Sequence, residues 1–256
     1  MQRKTLNLVQ GTDAWHQHRA SHFNASDAPA MMGSSKYRTR SELLREKATG
    51  LAADVSEQQQ RLYDRGHEAE ALIRPLIEQQ IGEELYSTTM SAVVDGLPLS
   101  ASLDGQNLVG DTLLECKLWN EGLAEQVRAG ELEPHYFWQL EHQLLVSGAE
   151  RVIFATGDGE RLETMEYRAV PGRAEQLIAG WHQFAKDLAD YQPEPLQAEV
   201  VAAPVAGFGA LSLRVEGRVL ASNLDTFKAD AEAFIARLPK PSDLQTDQDF
   251  ADGEAA

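Results

Sequence analysis

The stretch of sequence that decides the fold comprises Ser102-Leu-Asp104-Gly105 and, after a short connection, Leu113-Leu-Glu115-Cys-Lys117. The connection ends in a Gly-Asp pair that favours a turn, so the two segments are predicted to form antiparallel strands. Asp104 precedes Glu115 by eleven residues, and Lys117 follows two positions after Glu115. The predicted hairpin therefore brings two carboxylates and one amine to the same end of a small sheet.

Alternation along the second strand separates a core face from a polar face. Successive side chains of a strand point to opposite faces of the sheet. Leu114, Cys116 and Leu118 form one apolar face, which indicates core. Glu115 and Lys117 share the other face, where they can meet a substrate or an ion.

Paired carboxylates beside a lysine are typical of a metal-dependent hydrolytic site. Hard oxygen ligands suit Mg²⁺ or Mn²⁺, and such a metal lowers the pKa of a bound water and stabilises charge on a phosphate. Lys117 can orient the nucleophile and counter developing negative charge. On this short pattern alone, a surface hairpin with solvated charges is the simpler alternative, because the residues involved are common.

Composition limits the classes of protein that the chain can belong to. Its 256 residues are 43% hydrophobic, as in a globular protein with one substantial domain and an appendage. No run approaches the roughly 20 apolar residues that a membrane span needs, and the N-terminus lacks the apolar stretch of a signal peptide. The single cysteine, Cys116, excludes an intramolecular disulfide and a four-cysteine metal site. We therefore expect a cytoplasmic protein that does not associate with membranes.

Charge is unevenly distributed along the chain. A net charge of −17 argues at first against nucleic-acid binding. However, residues 1–48 hold eight Lys and Arg against four Asp and Glu, whereas residues 49–207 hold ten against twenty-seven and residues 208–256 hold five against nine. Concentrated positive charge is expected where a protein touches phosphate. On charge alone, a basic N-terminal segment without function is an equal alternative.

Hydrophobic periodicity and capping signals predict an α/β (α+β) fold with a central mixed β-sheet flanked by helices. Ser26 is predicted to cap a short helix, and Thr39 to open another through a capping box that leads to Gly50. The remaining predicted helices cover residues 58–81, 134–146 and 172–191, and the predicted strands cover residues 88–99, 101–119, 151–156 and 162–168.

A few other conspicuous side chains are assigned to structure rather than to chemistry. Trp15 is predicted to be a core anchor. The seven histidines show no zinc-site pattern, so His67, His135 and His142 are predicted to lie on helix surfaces.

Five separated motifs follow one another along the chain. They are Gly11-Thr-Asp-Ala-Trp15-His-Gln-His-Arg19 with Asn24-Ala-Ser-Asp27 and Gly33-Ser-Ser-Lys-Tyr37, Arg65-Gly-His-Glu-Ala-Glu70, Ser102-Leu-Asp-Gly105, Leu114-Glu-Cys-Lys117, and His135-Tyr-Phe-Trp-Gln-Leu-Glu141. Taken in this order, they resemble the motifs of the YqaJ-like viral recombinase family, to which lambda exonuclease belongs. The whole set is much more specific than any one motif, and the resemblance covers roughly residues 8–190.

The resemblance implies a restriction-endonuclease-like core and a deoxyribonuclease activity. Family members digest linear double-stranded DNA from 5′ to 3′ with Mg²⁺, for which Mn²⁺ can substitute, and leave 3′ single-stranded overhangs. The overhangs serve phage-type recombination together with a single-strand annealing protein. The resemblance also implies a homo-oligomer, commonly a trimeric ring, and a phage or prophage protein in a bacterial host.

Carried onto the matching positions, the family motifs give catalytic roles to one cluster. Asp104 and Glu115 would bind the metal together with the backbone carbonyl of Cys116. Glu70 would complete the acidic cluster, through water or a second metal, and Lys117 would assist the attacking water.

The matched positions imply one more catalytic residue, Gln139, and three residues that would contact the DNA. Gln139 would contact or orient the nucleophile side of the site. Arg19 and Ser26 would grip a terminal 5′ phosphate, for which a guanidinium is well suited because it binds phosphate oxygens bidentately. Ser102 would lie near the scissile phosphate. Leu103 replaces the proline of the family signature at a position that supplies no ligand.

Two other functions are compatible with the same motifs. An endonuclease or nickase could use the same core, and a catalytically silent DNA-binding scaffold could retain the fold. The intact set of Asp104, Glu115 and Lys117 argues against the silent scaffold. The predicted organisation is a nuclease domain over residues 1–192, a linker over 193–210, a small appendage of unknown role over 211–238, and a disordered tail over 239–256.

Overall fold

The computed structural model describes residues 2–50 and 57–192, together with residues 232, 233 and 236. Apart from those three positions, the predicted linker, appendage and tail lie outside the described residues, and the domain boundary at residue 192 stays a prediction. The elements below all belong to the first of two units, which covers residues Met1–Arg218. No helix within the described ranges is long and apolar enough to cross a membrane.

Helices and strands follow each other in a mixed order along the described chain. The strands are β1 (Gln2–Leu6), β2 (Phe23–Asn24), β3 (Tyr86–Val94), β4 (Leu97–Gln106), β5 (Thr112–Leu118), β6 (Arg151–Gly157) and β7 (Leu162–Tyr167). The helices are α1 (Asp13–Ala20), α2 (Ala28–Met31), α3 (Arg40–Thr49), α4 (Glu57–Ile81), α5 (Glu121–Ala129), α6 (Pro134–Ser147) and α7 (Arg173–Ala189), and a 3₁₀ turn covers Ala25–Asp27.

The strands form one mixed sheet in the order β1-β3-β4-β5-β6-β7, with β2 added in parallel beside β4. Neighbours are antiparallel except for β5 and β6, which are parallel. A parallel pair needs a long crossover, and α5 and α6 supply it. This arrangement confirms the predicted α+β class with a central mixed sheet.

The two faces of the sheet are covered by different helices. On one face, Leu113 and Phe154 pack with Trp181 and other apolar residues of α6 and α7. On the other face, Leu114 packs with Ile73 and other residues of α4. Leu113 and Leu114 are adjacent in sequence and belong to different core clusters, as strand alternation requires. The predicted apolar face of Leu114, Cys116 and Leu118 is thereby confirmed.

Local signals at the helix ends succeeded in one case and failed in another. Thr39 forms the predicted capping box with Glu42, and Gly50 ends α3 in the left-handed conformation. The predicted cap at Ser26 is wrong, because Ser26 lies inside the 3₁₀ turn and α2 begins only at Ala28. Its hydroxyl is therefore available to other partners.

Two further predictions were wrong for identifiable reasons. The strand predicted over residues 88–99 contains a two-residue turn at Asp95 and Gly96, whose φ values of 50° and 80° suit a tight hairpin. His142 is buried rather than on a helix surface, and its Nδ1 accepts a hydrogen bond from Trp181 Nε1 at 3.1 Å. Burial lowers the pKa of His142 to about 3, so it serves the core as a neutral ring.

Candidate active site

Glu115 is the most enclosed carboxylate of the site and is held by three nitrogen donors. It lies on β5 with 3% of its surface exposed. Its Oε1 accepts hydrogen bonds from Lys117 Nζ at 2.5 Å and from Gln139 Nε2 at 2.6 Å, and its Oε2 accepts one from Gln143 Nε2 at 2.5 Å. Gln139 and Gln143 are four residues apart on α6, so they project from the same helix face.

Asp104 lies where β4 and β5 separate. Their ladder contains only two register pairs, Gly105 with Leu114 and Gln106 with Leu113. One residue earlier on β4, the Oδ2 of Asp104 accepts the backbone N–H of Cys116 at 2.7 Å. The Asp104 carboxylate thus accepts an N–H of β5 that a backbone carbonyl would accept in a regular ladder.

Unbalanced negative charge surrounds Asp104. Burial and repulsion from Glu115 and Glu70 raise the pKa of Asp104 well above its usual range, and Lys117 and the Cys116 N–H oppose this rise only in part. Glu70 lies on α4 and forms an ion pair with Arg74 one turn away. Glu70 therefore lies within electrostatic reach of Asp104, and its role in the site stays a prediction.

The donor chemistry of this cluster fits a divalent cation, although the side chains are held by protein partners. Three carboxylates compete for little positive charge, which is the situation that a hard cation relieves. In the part of the chain that the structure describes, no three acidic, histidine or cysteine side chains converge as ligands. Arg74 holds Glu70, the Cys116 amide holds Asp104, and Lys117 with two glutamines holds Glu115. The ligand role of the Cys116 carbonyl stays a prediction.

The thiol of Cys116 has no place in the chemistry. Burial and the neighbouring carboxylates raise the pKa of the Cys116 thiol far above its ordinary value. Since the thiolate is the reactive form of cysteine, this side chain acts as a small apolar residue under α4.

The predicted DNA-contacting residues gather around Trp15. The Arg19 guanidinium lies over the Trp15 ring at 4.7 Å and donates a hydrogen bond to Ser26 Oγ at 3.0 Å. Trp15 Nε1 donates to Ser102 Oγ at 2.9 Å. Trp15 is only partly buried, so the core-anchor prediction is wrong. Instead, its ring connects Arg19 and Ser26 to Ser102 on β4.

A buried carboxylate, Asp27, fixes the basic groups of the N-terminal segment. Its oxygens lie 2.6 Å from Arg38, 3.2 Å from Lys47 and 3.8 Å from Arg19, and Asn24 donates a hydrogen bond to it at 2.9 Å. Burial alone would raise the pKa of Asp27, but the three cations outweigh it and hold the pKa well below its usual range. Arg38 also pairs with Glu46 at 2.5 Å, so three cations meet two carboxylates and this corner keeps an excess of positive charge.

Comparison with known proteins agrees with the motifs and the geometry. The family profile of the YqaJ-like viral recombinase domain matches residues 14–150, more than half of the chain. The chain belongs to this family. The resemblance stated from the motifs is thereby confirmed. A search of curated proteins finds no match.

Solved structures of an alkaline exonuclease are similar to this YqaJ-like chain. The alkaline exonuclease LHK-Exo of Laribacter hongkongensis is 20% identical with a TM-score of 0.57, and the match covers 70% of this chain and 93% of that one. The same enzyme in complex with dAMP gives a TM-score of 0.58 over the same shares. These similarities establish the fold, which is restriction-endonuclease-like as expected. Family and fold together support a nuclease of the lambda exonuclease type.

Sequence reasoning about this YqaJ-like domain missed three residues of the site. Gln143 had an available signal, because it lies one helical turn after Gln139. Its Nε2 holds Glu115, and its buried Oε1 has no hydrogen-bond partner among the described residues. The roles of Trp15 and Asp27 depend on contacts between distant segments, which no local spacing reveals. Glu141, in the same motif as Gln139, is buried and accepts a hydrogen bond from the Tyr167 hydroxyl at 2.6 Å, so it serves the core.

Replacing Gln143 by Leu tests the support that α6 gives to Glu115. The buried Oε2 of Glu115 would lose its donor, and residues that orient a metal ligand typically contribute 10–100-fold to metal affinity or activity. We expect hydrolysis of DNA to fall by about 10–100-fold. The measurement is the initial rate on linear duplex over a Mg²⁺ titration. Gln183→Leu is the matched control, because Gln183 is exposed and donates a hydrogen bond to Asp187 one turn away on α7; equal rates for both variants would contradict the role.

Proposed function

We propose that the chain is a Mg²⁺-dependent exonuclease that degrades linear double-stranded DNA from 5′ ends and leaves 3′ single-stranded overhangs. The observation that carries this proposal is the hydrogen bond between the buried Glu115 and Lys117. It lies beside Asp104, whose pKa is raised by burial and by the neighbouring carboxylates. Membership in the YqaJ-like viral recombinase domain family and the exonuclease fold support the same conclusion.

The residues that would hold the cation are Asp104, Glu115, Glu70 and the Cys116 carbonyl. The acid-rich, oxygen-only set suits Mg²⁺, and Mn²⁺ can take its place because it accepts the same ligands. When bound, the cation would lower the pKa of a water ligand and stabilise charge on the phosphate.

Lys117 acts as a cation in this mechanism. Burial alone would lower its pKa, but attraction to Glu115 and Asp104 raises the pKa of Lys117 overall. It therefore stays protonated near neutral pH and donates hydrogen bonds rather than accepting a proton. Held by Glu115 and by Gln139 Oε1 at 3.3 Å, its ammonium group can orient the attacking water and counter charge on the phosphate.

Arg19, Ser26 and Ser102 would recognise the DNA end. Arg19 and Ser26 offer a guanidinium and a hydroxyl to a terminal 5′ phosphate, and Trp15 joins them to Ser102 on the same strand as Asp104. A terminal phosphate bound to Arg19 and Ser26 would place the first phosphodiester of that DNA strand toward Asp104 and Glu115. This connection is what would make hydrolysis begin at an end.

Arg19→Ala is expected to reduce the preference for 5′-phosphorylated ends. Hydrogen bonds to charged groups contribute enough that the rate on 5′-phosphate duplex should fall by about 10–100-fold. The rate on 5′-hydroxyl duplex should change much less. A time course on end-labelled linear duplex with both kinds of end, with Mg²⁺, measures the effect and the polarity together.

Arg40→Ala is the matched control, because Arg40 pairs with the surface residue Asp187. Equal losses on both kinds of end would contradict the phosphate role of Arg19. Linear duplex left intact by the wild-type protein with Mg²⁺ would overturn the proposed function itself. Covalently closed circles should also stay intact, and their cleavage would instead favour the endonuclease or nickase alternative.

Assembly and partners follow from the family in this proposal. Several copies would form a ring, commonly a trimer, that stays on one strand while digesting the other. The exposed 3′ strand would pass to a single-strand annealing protein in phage-type recombination, in the cytoplasm of a bacterial host. Sedimentation analysis of the purified chain tests the ring.

A further inference from the structure

Three rings extend from the active site to the surface. Tyr37 and His135 meet edge to face at 5.1 Å between ring centroids, and His135 meets Tyr136 in the same way at 4.8 Å. Tyr37 is 80% exposed, although its ring is large and partly apolar. We refer to Tyr37, His135 and Tyr136 as the aromatic row.

The aromatic row begins beside the catalytic lysine. Tyr136 precedes Gln139 by three residues on α6, so their side chains lie on the same helix face. Gln139 contacts both Lys117 and Glu115. Burial and then the charge of Lys117 lower the pKa of His135, which places that ring within electrostatic reach of the site. The row therefore joins the reacting groups to solvent.

The loop that presents Tyr37 is held by specific contacts. Ser35 Oγ accepts the backbone N–H groups of Tyr37 at 3.2 Å and Arg38 at 3.3 Å. The backbone N–H of Lys36 donates to His135 Nδ1 at 3.4 Å. These hydrogen bonds hold the backbone around Tyr37, so its side chain has a defined position although it is exposed.

Positive charge accompanies the aromatic row. The Lys36 ammonium lies 5.9 Å from the centroid of the Tyr136 ring and forms an ion pair with Glu133, and half of its side chain is exposed. Aromatic faces interleaved with lysine, next to a phosphodiester-cleaving site, are the combination that binds single-stranded nucleic acid. Stacking accepts any base, because every base has a π-face.

We propose that Tyr37 and His135 bind unpaired DNA bases beside the cleavage site by stacking. This inference rests on the proposed nuclease function and adds to it a binding site for bases that have left the duplex. Bases released next to Lys117 would meet His135 first and Tyr37 farther out. Binding energy would come from the base, whereas Arg19 and Ser26 act on phosphate.

Binding of short single-stranded DNA in EDTA tests the inference without hydrolysis. The probes are a fluorescent oligothymidylate and the same oligonucleotide with abasic positions, measured by anisotropy on the full chain. For the wild-type protein, abasic positions are expected to weaken binding by about 5–100-fold. Tyr37→Ala should weaken binding of the intact oligonucleotide more than that of the abasic probe and so reduce the difference between the two probes, with His135 still able to stack. Tyr37→Phe should behave like the wild type.

Tyr86→Ala is the control, because Tyr86 is also an exposed tyrosine but lies at the start of β3. It should bind both probes like the wild type. Wild-type affinity for intact oligonucleotide in Tyr37→Ala would overturn the inference, and so would an equal loss on both probes, which would indicate a backbone contact. If the wild-type protein discriminates the probes but leaves linear duplex intact with Mg²⁺, only the nuclease proposal fails.

Discussion

Asp104→Asn is expected to lower the rate of DNA hydrolysis by about a thousandfold or more while the fold is retained. Asparagine keeps the shape of the side chain and an oxygen that can accept the Cys116 N–H, which Asp104 binds at 2.7 Å. It removes the negative charge that a divalent cation requires. Charge stabilisation by a catalytic metal is worth several kcal/mol, and each 1.36 kcal/mol corresponds to tenfold in rate.

The same substitution should not destabilise the metal-free protein. The pKa of Asp104 is raised in the fold, so ionising this group costs stability as pH rises from the unfolded pKa, near 4, through the folded pKa. Above that window the full cost is present. Asparagine removes it, so the Tm of Asp104→Asn at neutral pH in EDTA should equal or exceed that of the wild type.

The initial rate on linear duplex and the Tm in EDTA are measured on the same preparations. Asp95→Asn is the matched control, because Asp95 lies at positive φ in the β3–β4 turn, a conformation that asparagine also accepts. Its rate should equal that of the wild type. Retention of a tenth or more of the activity by Asp104→Asn would show that the carboxylate is not a required ligand.

Asp27→Asn is expected to lower the free energy of unfolding by about 3–5 kcal/mol, as breaking a buried ion pair commonly does. The carboxylate is 4% exposed and lies against Arg38, Lys47 and Arg19. Asparagine would remove the anion that these three cations share, although Arg38 would keep its ion pair with Glu46 at 2.5 Å. Urea denaturation at neutral pH measures the change.

Asp187→Asn is the matched control for Asp27. It also removes a carboxylate from an arginine, Arg40, but about a third of each side chain is exposed. Surface pairs contribute about 0–1 kcal/mol, so a small loss is expected. A similar loss in both variants would contradict a special contribution from Asp27.

Acidification gives a second measurement of the contribution of Asp27. Its pKa is lowered in the fold, so the stabilisation is complete above the unfolded pKa, near 4, and is lost as pH falls toward the folded value. The stability of the wild-type protein should therefore decrease below about pH 4. The decrease should be shallower for Asp27→Asn, which has no carboxylate to protonate at this position.

Local patterns predicted which charged groups meet at the end of β5 but not the side chains that support them. Strand alternation and one turn are enough to associate Asp104, Glu115 and Lys117. The apolar residues on both sides of Asp95 predict one continuous strand, whereas Asp95 and Gly96 form a turn. The contact between Gln143 and Glu115 depends on which face of α6 packs against β5, and helix periodicity alone does not specify this face. Asp27 draws its partners from positions 19, 38 and 47, and only the folded chain brings them together.

The short ladder between β4 and β5 has a mechanical consequence. Only two register pairs join these strands, and the next bond across the seam is made by the Asp104 carboxylate rather than by backbone. One side chain therefore both closes the sheet and carries a carboxylate of the candidate site. Any movement that widens the gap between β4 and β5 at that point must also displace the Asp104 carboxylate. The rigidity of the sheet and the position of this charge in the candidate site are therefore coupled.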